Sequence, residues 1–444
     1  MRRISSLIER FSAQLKTQGV RIALHSAASW IAIFLRSRWH RVGQRLSSLV
    51  PEYLTKVRIL LGIKIRPLPA RRGILFVGYV EAGLGLGESL RGLIAAAAAR
   101  DLQFGIYPFR IGVETRILEP FMPDKYDKSH RYDLNIIEVA ADQVPTVFSS
   151  LDPRLYAGNY NVLRTYWELP RAPAAWVPML RGIDEIWVPN EFVQNAFREI
   201  FPGAIIIVQP CVVIDETAVY PNRMQLGLDD RRFYYLFSFD YYSHPDRKNP
   251  LGVLKAFQDA FRKGDENVGL IIKSIGAPAH YPEIKQKMQA AMEADPRIKL
   301  FDRSMTRREV FGLLQSCDCY VSLHRAEGFG LGMVEAMNFG KPVIATDFSG
   351  STDFFSEQTG FPVSYKIRPI QPNEYVWTEG QSWAEPNHQK AIELLKLVFE
   401  NPHLGKKKGD NARTFVRQRY GKDAVGAVIE ARTAEIAKIR IRRQ

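Results

Sequence analysis

Short apolar runs alternate with longer amphipathic stretches along this chain, and the alternation occurs twice. Residues 74–77 (ILFV), 136–141 (IIEVAA), 161–169 (NVLRTYWEL), 185–190 (EIWVPN) and 204–210 (AIIIVQP) read as strands, with helices over 89–100 and 191–199. Apolar runs of about 4–8 residues suit strands buried on both faces, and strands interleaved with helices predict a parallel, doubly wound sheet. The pattern restarts with a strand over 234–239, a helix over 250–262, and strands over 268–274, 298–302, 319–323 and 342–346. Two consecutive α/β units predict two Rossmann-like domains facing a cleft. We place the first over 73–215, the second over 216–420 and a terminal helix over 421–444, after a leading extension and linker over 1–72.

The charge of +14 is distributed unevenly. Residues 1–72 contain fifteen Lys and Arg against two acids, so the remaining 372 residues carry only +1. A nucleic-acid binder would carry its basic surface on the folded body, where a groove is built; this chain does not, and no nucleic-acid partner is expected. Cys211, Cys317 and Cys319 form neither a disulfide framework nor a paired metal-ligand pattern, and read as core residues of a protein in a reducing cytoplasm.

The most apolar stretch of the extension, 22–35 (IALHSAASWIAIFL), is fourteen residues long. A spanning helix needs about 20. Trp30, Ile31, Phe34, Leu35 and Trp39 are flanked by Arg21, Arg36, Arg38 and Arg41, which suits a helix lying in an anionic membrane surface. The other reading is a basic helix packed on the body. Either way the extension ends in the Pro-rich linker 67–73 (PLPARRG).

The chemistry concentrates in 323–346, LHRAEGFGLGMVEAMNFGKPVIAT. A strand ends near Leu323, a Glu and a Gly-Phe-Gly turn follow, and a helix begins near Leu331. Ligands of open α/β sheets bind outside the carboxyl ends of strands, and a helix N-terminus offers free N–H groups to a diphosphate. Gly328 and Gly330 permit a tight turn there. Glu327 and Glu335, eight apart, are placed to line one pocket and accept hydrogen bonds from sugar and ribose hydroxyls. In 238–257 (SFDYYSHPDRKNPLGVLKAF), Arg247 and Lys248 follow a strand and precede a helix opened by Asn249 and Pro250. Two cations there neutralise charge developing on a departing diphosphate.

The loop 78–88 (GYVEAGLGLGE) sets Gly83, Gly85 and Gly87 in a turn, without dinucleotide-fingerprint spacing. In 165–170 (TYWELP), Glu168 reads as an acceptor-side carboxylate or a structural acid, and Trp167 as a sugar-stacking ring or a core residue. His324 reads as a pocket or a structural residue, and Asp347 with Ser349, Gly350 and Ser351 as the pocket rim.

Glu327-x7-Glu335, with the GFGL and GKPVIAT segments around it, resembles the signature of retaining glycosyltransferase family 4, over about residues 73–420. The resemblance implies the GT-B fold, with the donor on the second domain and the acceptor on the first. It places Glu327 on the donor sugar, Glu335 on the ribose, and Arg247 and Lys248 on the donor phosphates. Gly328, Phe329, Gly330 and Leu331 complete the donor site, faced by Gly85 and Gly87 across the cleft. Lys248 matches the family pattern. The family's Arg usually follows the strand directly, where this chain has Ser238, Phe239 and Asp240, so Arg247 stands in for it.

The implied activity is transfer of a hexose, mannose first, to a glycan or lipid-linked acceptor with retention of configuration, in bacterial polysaccharide or glycolipid synthesis. GDP-mannose or a UDP-hexose is the co-substrate; no metal and no further cofactor is expected. The alternative is a non-catalytic, membrane-associated glycan-binding protein of the same fold. The extension implies a cytoplasmic protein held peripherally at the inner membrane face. Deleting residues 1–65 is expected to abolish co-sedimentation with anionic liposomes; retained sedimentation would refute the interfacial helix.

Overall fold

The structure, a computed structural model, describes residues 68–112, 117–215, 217–276 and 278–443; the basic extension and its proposed interfacial helix lie outside the described residues. The first unit has strands β1 (Ile74–Gly78), β2 (Phe104–Pro108), β3 (Leu134–Glu138), β4 (Tyr160–Arg164), β5 (Glu185–Val188) and β6 (Ala204–Ile207). They form one parallel sheet in the order β2-β1-β3-β4-β5-β6. Alternate residues of each strand enter opposite cores. Leu75, Val77, Ile137 and Leu163 pack on one face, and Ile74, Phe76, Ile136 and Val162 on the other. Burial on both faces explains why these strands read as continuous apolar runs.

The second unit has β7 (Phe233–Asp240), β8 (Val268–Ile275), β9 (Ile298–Asp302), β10 (Cys319–Ser322), β11 (Val343–Thr346) and β12 (Phe361–Val363). Its parallel order is β12-β11-β10-β7-β8-β9. The chain winds outward from β7 to β9, returns to β10 and winds the other way. The crevice at the carboxyl ends of β7 and β10 is therefore the switch point where open α/β sheets bind ligands. The two Rossmann-like sheets expected from the sequence are both present. All three cysteines are buried and free.

Two elements tie the units together. The helix Pro402–Tyr420 packs on the helix Leu331–Asn338 of the second unit, whereas the helix Lys422–Arg443 crosses back onto the helix Gly85–Ala99 of the first. Val425, Ile429 and Ile436 are buried there with Leu90, Leu93 and Ile94. Arg432 donates to both oxygens of the fully buried Glu185 at 2.8 and 2.6 Å. Trp187 Nε1 and Tyr160 Oη also donate to that carboxylate. The second tie is an antiparallel hairpin, β13 (Tyr365–Pro369) and β14 (Ser382–Pro386), whose Trp383 and Ile370 join the core of the first sheet.

Several local expectations are corrected. The strand expected over 161–169 stops at Arg164, because its ladder with β3 ends at the Glu138–Arg164 pair and the following aromatics pack towards the second unit. The first helix starts at Gly85, four residues earlier than expected, so Gly85 and Gly87 occupy its first turn and not the loop before it. A Cβ at Gly87 would lie 2.3 Å from Ala82 O, so only glycine admits this close approach. β2, β12 and the hairpin strands were not anticipated. Among the described residues no helix is long and apolar enough to cross a membrane.

Arg432→Ala leaves the buried Glu185 charge without its cation and is expected to cost roughly 3–5 kcal/mol. The urea unfolding midpoint measures this, and adding Glu185→Gln should recover part of the loss.

Candidate active site

The carboxyl end of β7 leads into a loop turned by two non-glycine residues in the left-handed region, His244 (φ 58°) and Asn249 (φ 56°). Between them Pro245–Lys248 forms a single helical turn. Asn249 caps the helix Pro250–Ala260 by accepting from Gly252 N–H at 3.2 Å, as its sequence position suggests. Its Nδ2 donates to Leu323 O at 2.9 Å, which staples the loop to the end of β10. Arg325 N–H donates to Arg247 O at 2.8 Å and adds a second staple. The two cations are thereby held over the segment that follows β10.

That segment presents Glu327, only 6% exposed. Lys248 Nζ donates to Glu327 Oε1, and Arg247 Nη1 donates to Oε2 at 3.0 Å and to Ala326 O at 2.8 Å. The Glu327 backbone is fixed as well: its N–H donates to Ser349 Oγ at 2.8 Å, and its carbonyl accepts from Gly350 N–H at 2.9 Å. Burial pushes the Glu327 carboxyl up, but Lys248 and Arg247 outweigh burial and hold it down at about 2. The carboxylate is therefore ionised at neutral pH.

Arg247 also faces the first unit. Its Nη2 lies 3.8 Å from Glu168 Oε1, and Glu168 Oε2 accepts from Tyr375 Oη at 2.8 Å. His244 and Tyr375 meet edge to face at 4.9 Å. Burial and the Arg247 charge lower the His244 pKa, so its imidazole is neutral at pH 7.

Glu335 stands apart from this cluster. Its partner is Arg307, whose Nη2 donates to Glu335 Oε1 and whose Nε lies 3.5 Å from Glu88 Oε2. Glu88 in turn pairs with Arg91 at 2.7 Å. This second chain of charges crosses the cleft to the first turn of the Gly85–Ala99 helix. Burial raises the Glu335 pKa against the pull of Arg307. Tyr320, on β10, feels the charge of both Glu327 and Glu335.

The other candidates divide. Gly330 adopts φ 97° at the head of the helix Leu331–Asn338, a conformation that needs glycine. Gly328 O accepts from the first unit's Asn190 at 2.7 Å. A Cβ at Gly85 would meet nothing within 4 Å. Phe329 is buried against Phe354 and Tyr420. Trp167 is a core residue, its Nε1 bound to Arg171 O at 2.8 Å and its ring against Trp176. His324 is fully buried and bound to Ser322 and to Phe348 O; burial lowers it to about 4, so it is neutral and structural.

Sequence reasoning missed Arg307, Tyr375 and His244. Arg307 had a signal: Thr306 and Glu309 form a capping box that marks a helix start at the sheet's carboxyl edge. Tyr375 had none, because the hairpin that carries it has no local mark of where it docks.

Comparison with known proteins bears on this geometry. Residues 223–415 match the family model Glycosyl transferases group 1. The matched span contains Arg247, Lys248, Glu327 and Glu335. Among solved structures, sucrose-phosphate synthase of Thermosynechococcus elongatus superposes with a TM-score of 0.60 at 15% identity, over 83% of this chain and 100% of its own. HepE of Anabaena, solved with UDP and glucose, gives 0.58 at 16% identity over 82% and 99%. A glycosyltransferase of Rickettsia africae gives 0.58 at 15% identity over 84% and 100%. The fold is GT-B. Among curated proteins none matches the sequence.

The ionised form of Glu327 stabilises the fold above the ordinary carboxylate value of 4.5, and that contribution is lost as pH falls towards about 2. Glu327→Gln is expected to lower stability at pH 7 by roughly 3 kcal/mol. In urea titrations the gap to the parent protein should narrow as pH drops through that window; a gap independent of pH would refute the assignment.

Proposed function

We propose that this protein transfers a hexose from a nucleotide sugar to a glycan or lipid-linked acceptor with retention of configuration. The observation that carries the reading is the cluster of Lys248, Arg247 and Glu327 at the β7/β10 switch point, inside the span matched by the glycosyltransferase family model. Negative charge develops on the β-phosphate as the sugar leaves, and pre-positioned cations stabilise that charge without reorganising. Lys248 and Arg247 are such cations, held by a carboxylate that is itself fixed through its own backbone. Glu327 faces the donor sugar as a hydrogen-bond acceptor, and Glu335, across the helix start, faces the ribose. Arg307 pairs with Glu335 and so sets which of its oxygens remains open to a ligand.

The cleft side opposite belongs to the acceptor, with the Gly85–Ala99 helix start facing the diphosphate. Closure of the two units over the donor would exclude water and limit its hydrolysis. Retention fits a same-face attack assisted by the donor phosphate, and no side chain is assigned as nucleophile. GDP-mannose remains the first donor candidate and a UDP-hexose the second. HepE of Anabaena has been solved with UDP-glucose, which makes that compound a natural probe. The basic extension would hold the protein peripherally at an anionic membrane surface, near a lipid-linked acceptor.

A thermal-shift screen of the full chain against UDP, GDP, UDP-glucose and GDP-mannose is expected to show stabilisation by one nucleotide family. Lys248→Ala should remove that shift and reduce transfer at least about 100-fold, as expected when a group that stabilises developing charge is lost. A chain that binds none of the four, or a Lys248→Ala variant with parental activity, would refute the reading.

A further inference from the structure

We propose that Tyr375 is a positioning residue: delivered by the β13–β14 hairpin, it holds Glu168 against Arg247 and so orients the guanidinium from the far side of the cleft. Four segments distant in sequence meet in one line. Tyr375 Oη donates to Glu168 Oε2 at 2.8 Å, Glu168 Oε1 lies 3.8 Å from Arg247 Nη2, and Arg247 Nη1 donates to Glu327 Oε2 at 3.0 Å. The guanidinium is planar, so a carboxylate on each side fixes its orientation as well as its position. Glu327 comes from the same unit as Arg247. Glu168 comes from the other, so the second constraint exists only while the two units are together.

The hairpin loop is built to keep the hydroxyl in place. Tyr375 packs on Trp167 at 6.0 Å, Trp383 at 6.1 Å and the His244 ring at 4.9 Å. Trp377 meets Trp176 at 6.1 Å, Gln381 Nε2 donates to Arg171 O at 2.6 Å, and Arg171 Nη2 donates to Gly380 O at 2.6 Å. At its base Arg368 bridges Glu374 and Glu385. Asn373 and Trp377 sit at φ 72° and 55°, on either side of Tyr375. A bulky residue stays in that region only where its surroundings over-determine it. The loop is thus a strap anchored on the first unit, and Tyr375 is its inward-facing polar group.

The kinetic consequence rests on the transferase reading, whereas the positional one does not. Both are measured on the full chain with Tyr375→Phe, which keeps the ring, Glu168→Gln, which keeps the shape, and the double variant. Hydrogen exchange of peptides covering 243–249 should quicken about fivefold in each single variant, with little further change in the double, because the two groups act through one contact. Exchange elsewhere should be unaltered. With UDP-glucose and GDP-mannose as probes, kcat for transfer to water should fall about tenfold while KM stays within about twofold. Unchanged exchange over 243–249, or exchange raised throughout the chain, overturns the proposal even if the parent protein turns over a probe. Altered exchange in a chain that binds none of UDP, GDP, UDP-glucose and GDP-mannose upholds the positioning contact and refutes the transferase reading.

Discussion

A carboxylate almost wholly removed from water is unstable unless cations are brought to it, and Glu327 imposes that requirement on everything around it. Lys248 and Arg247 reach it only because the chain after β7 turns through the left-handed region at His244 and again at Asn249. Asn249 closes the turn by capping one helix and binding the end of β10, while Ser349 and Gly350 immobilise the Glu327 backbone. Strain in the loop, the cap and the ion cluster therefore form one arrangement. Loosening any part of it exposes or strands a buried charge.

The cleft between the sheets is held by direct polar contacts as well as by apolar burial. Asn190 is 1% exposed; its Oδ1 caps the helix Glu191–Phe197, and its Nδ2 donates to Gly328 O at 2.7 Å and Gly350 O at 2.8 Å in the opposite unit. One side chain thus completes a helix and grips the glycine turn that follows Glu327. Nearby, two carboxylates, Glu168 and Glu327, face two cations, Arg247 and Lys248. The contacts among them leave neither cation buried without a carboxylate partner.

Most of the parallel strands were legible because they are buried on both faces, so a run such as ILFV at 74–77 carries its own signal. β2 (FGIYP) was not, because glycine and proline interrupt the run and its burial comes from neighbours contributed by β1 and the covering helices. The aromatic run after Arg164 looked like more strand, since Tyr166, Trp167 and Leu169 are as apolar as a strand residue. Instead Trp167 packs on Tyr375 of the hairpin loop, Tyr166 against the opposite unit, and Leu169 in the core of the first sheet. Glu327, Lys248 and Arg247 could be singled out from the turn and cap residues beside them, yet nothing in those local patterns says which cation pairs with which carboxylate.

Amino-acid order alone determined the two doubly wound sheets, the switch-point position of the acidic and basic motifs, and the helix starts at Pro250 and Leu331. These follow from hydrophobic period, capping and backbone preference, all of which act over a few residues. Tertiary structure decided that Glu335 pairs with Arg307 and not with the Lys248 cluster, that the last helix returns to the first sheet, and that Tyr375 reaches Glu168 from 207 positions away. Charge pairing depends on separation in space and on the water excluded around it, and both quantities come into being only when distant segments pack.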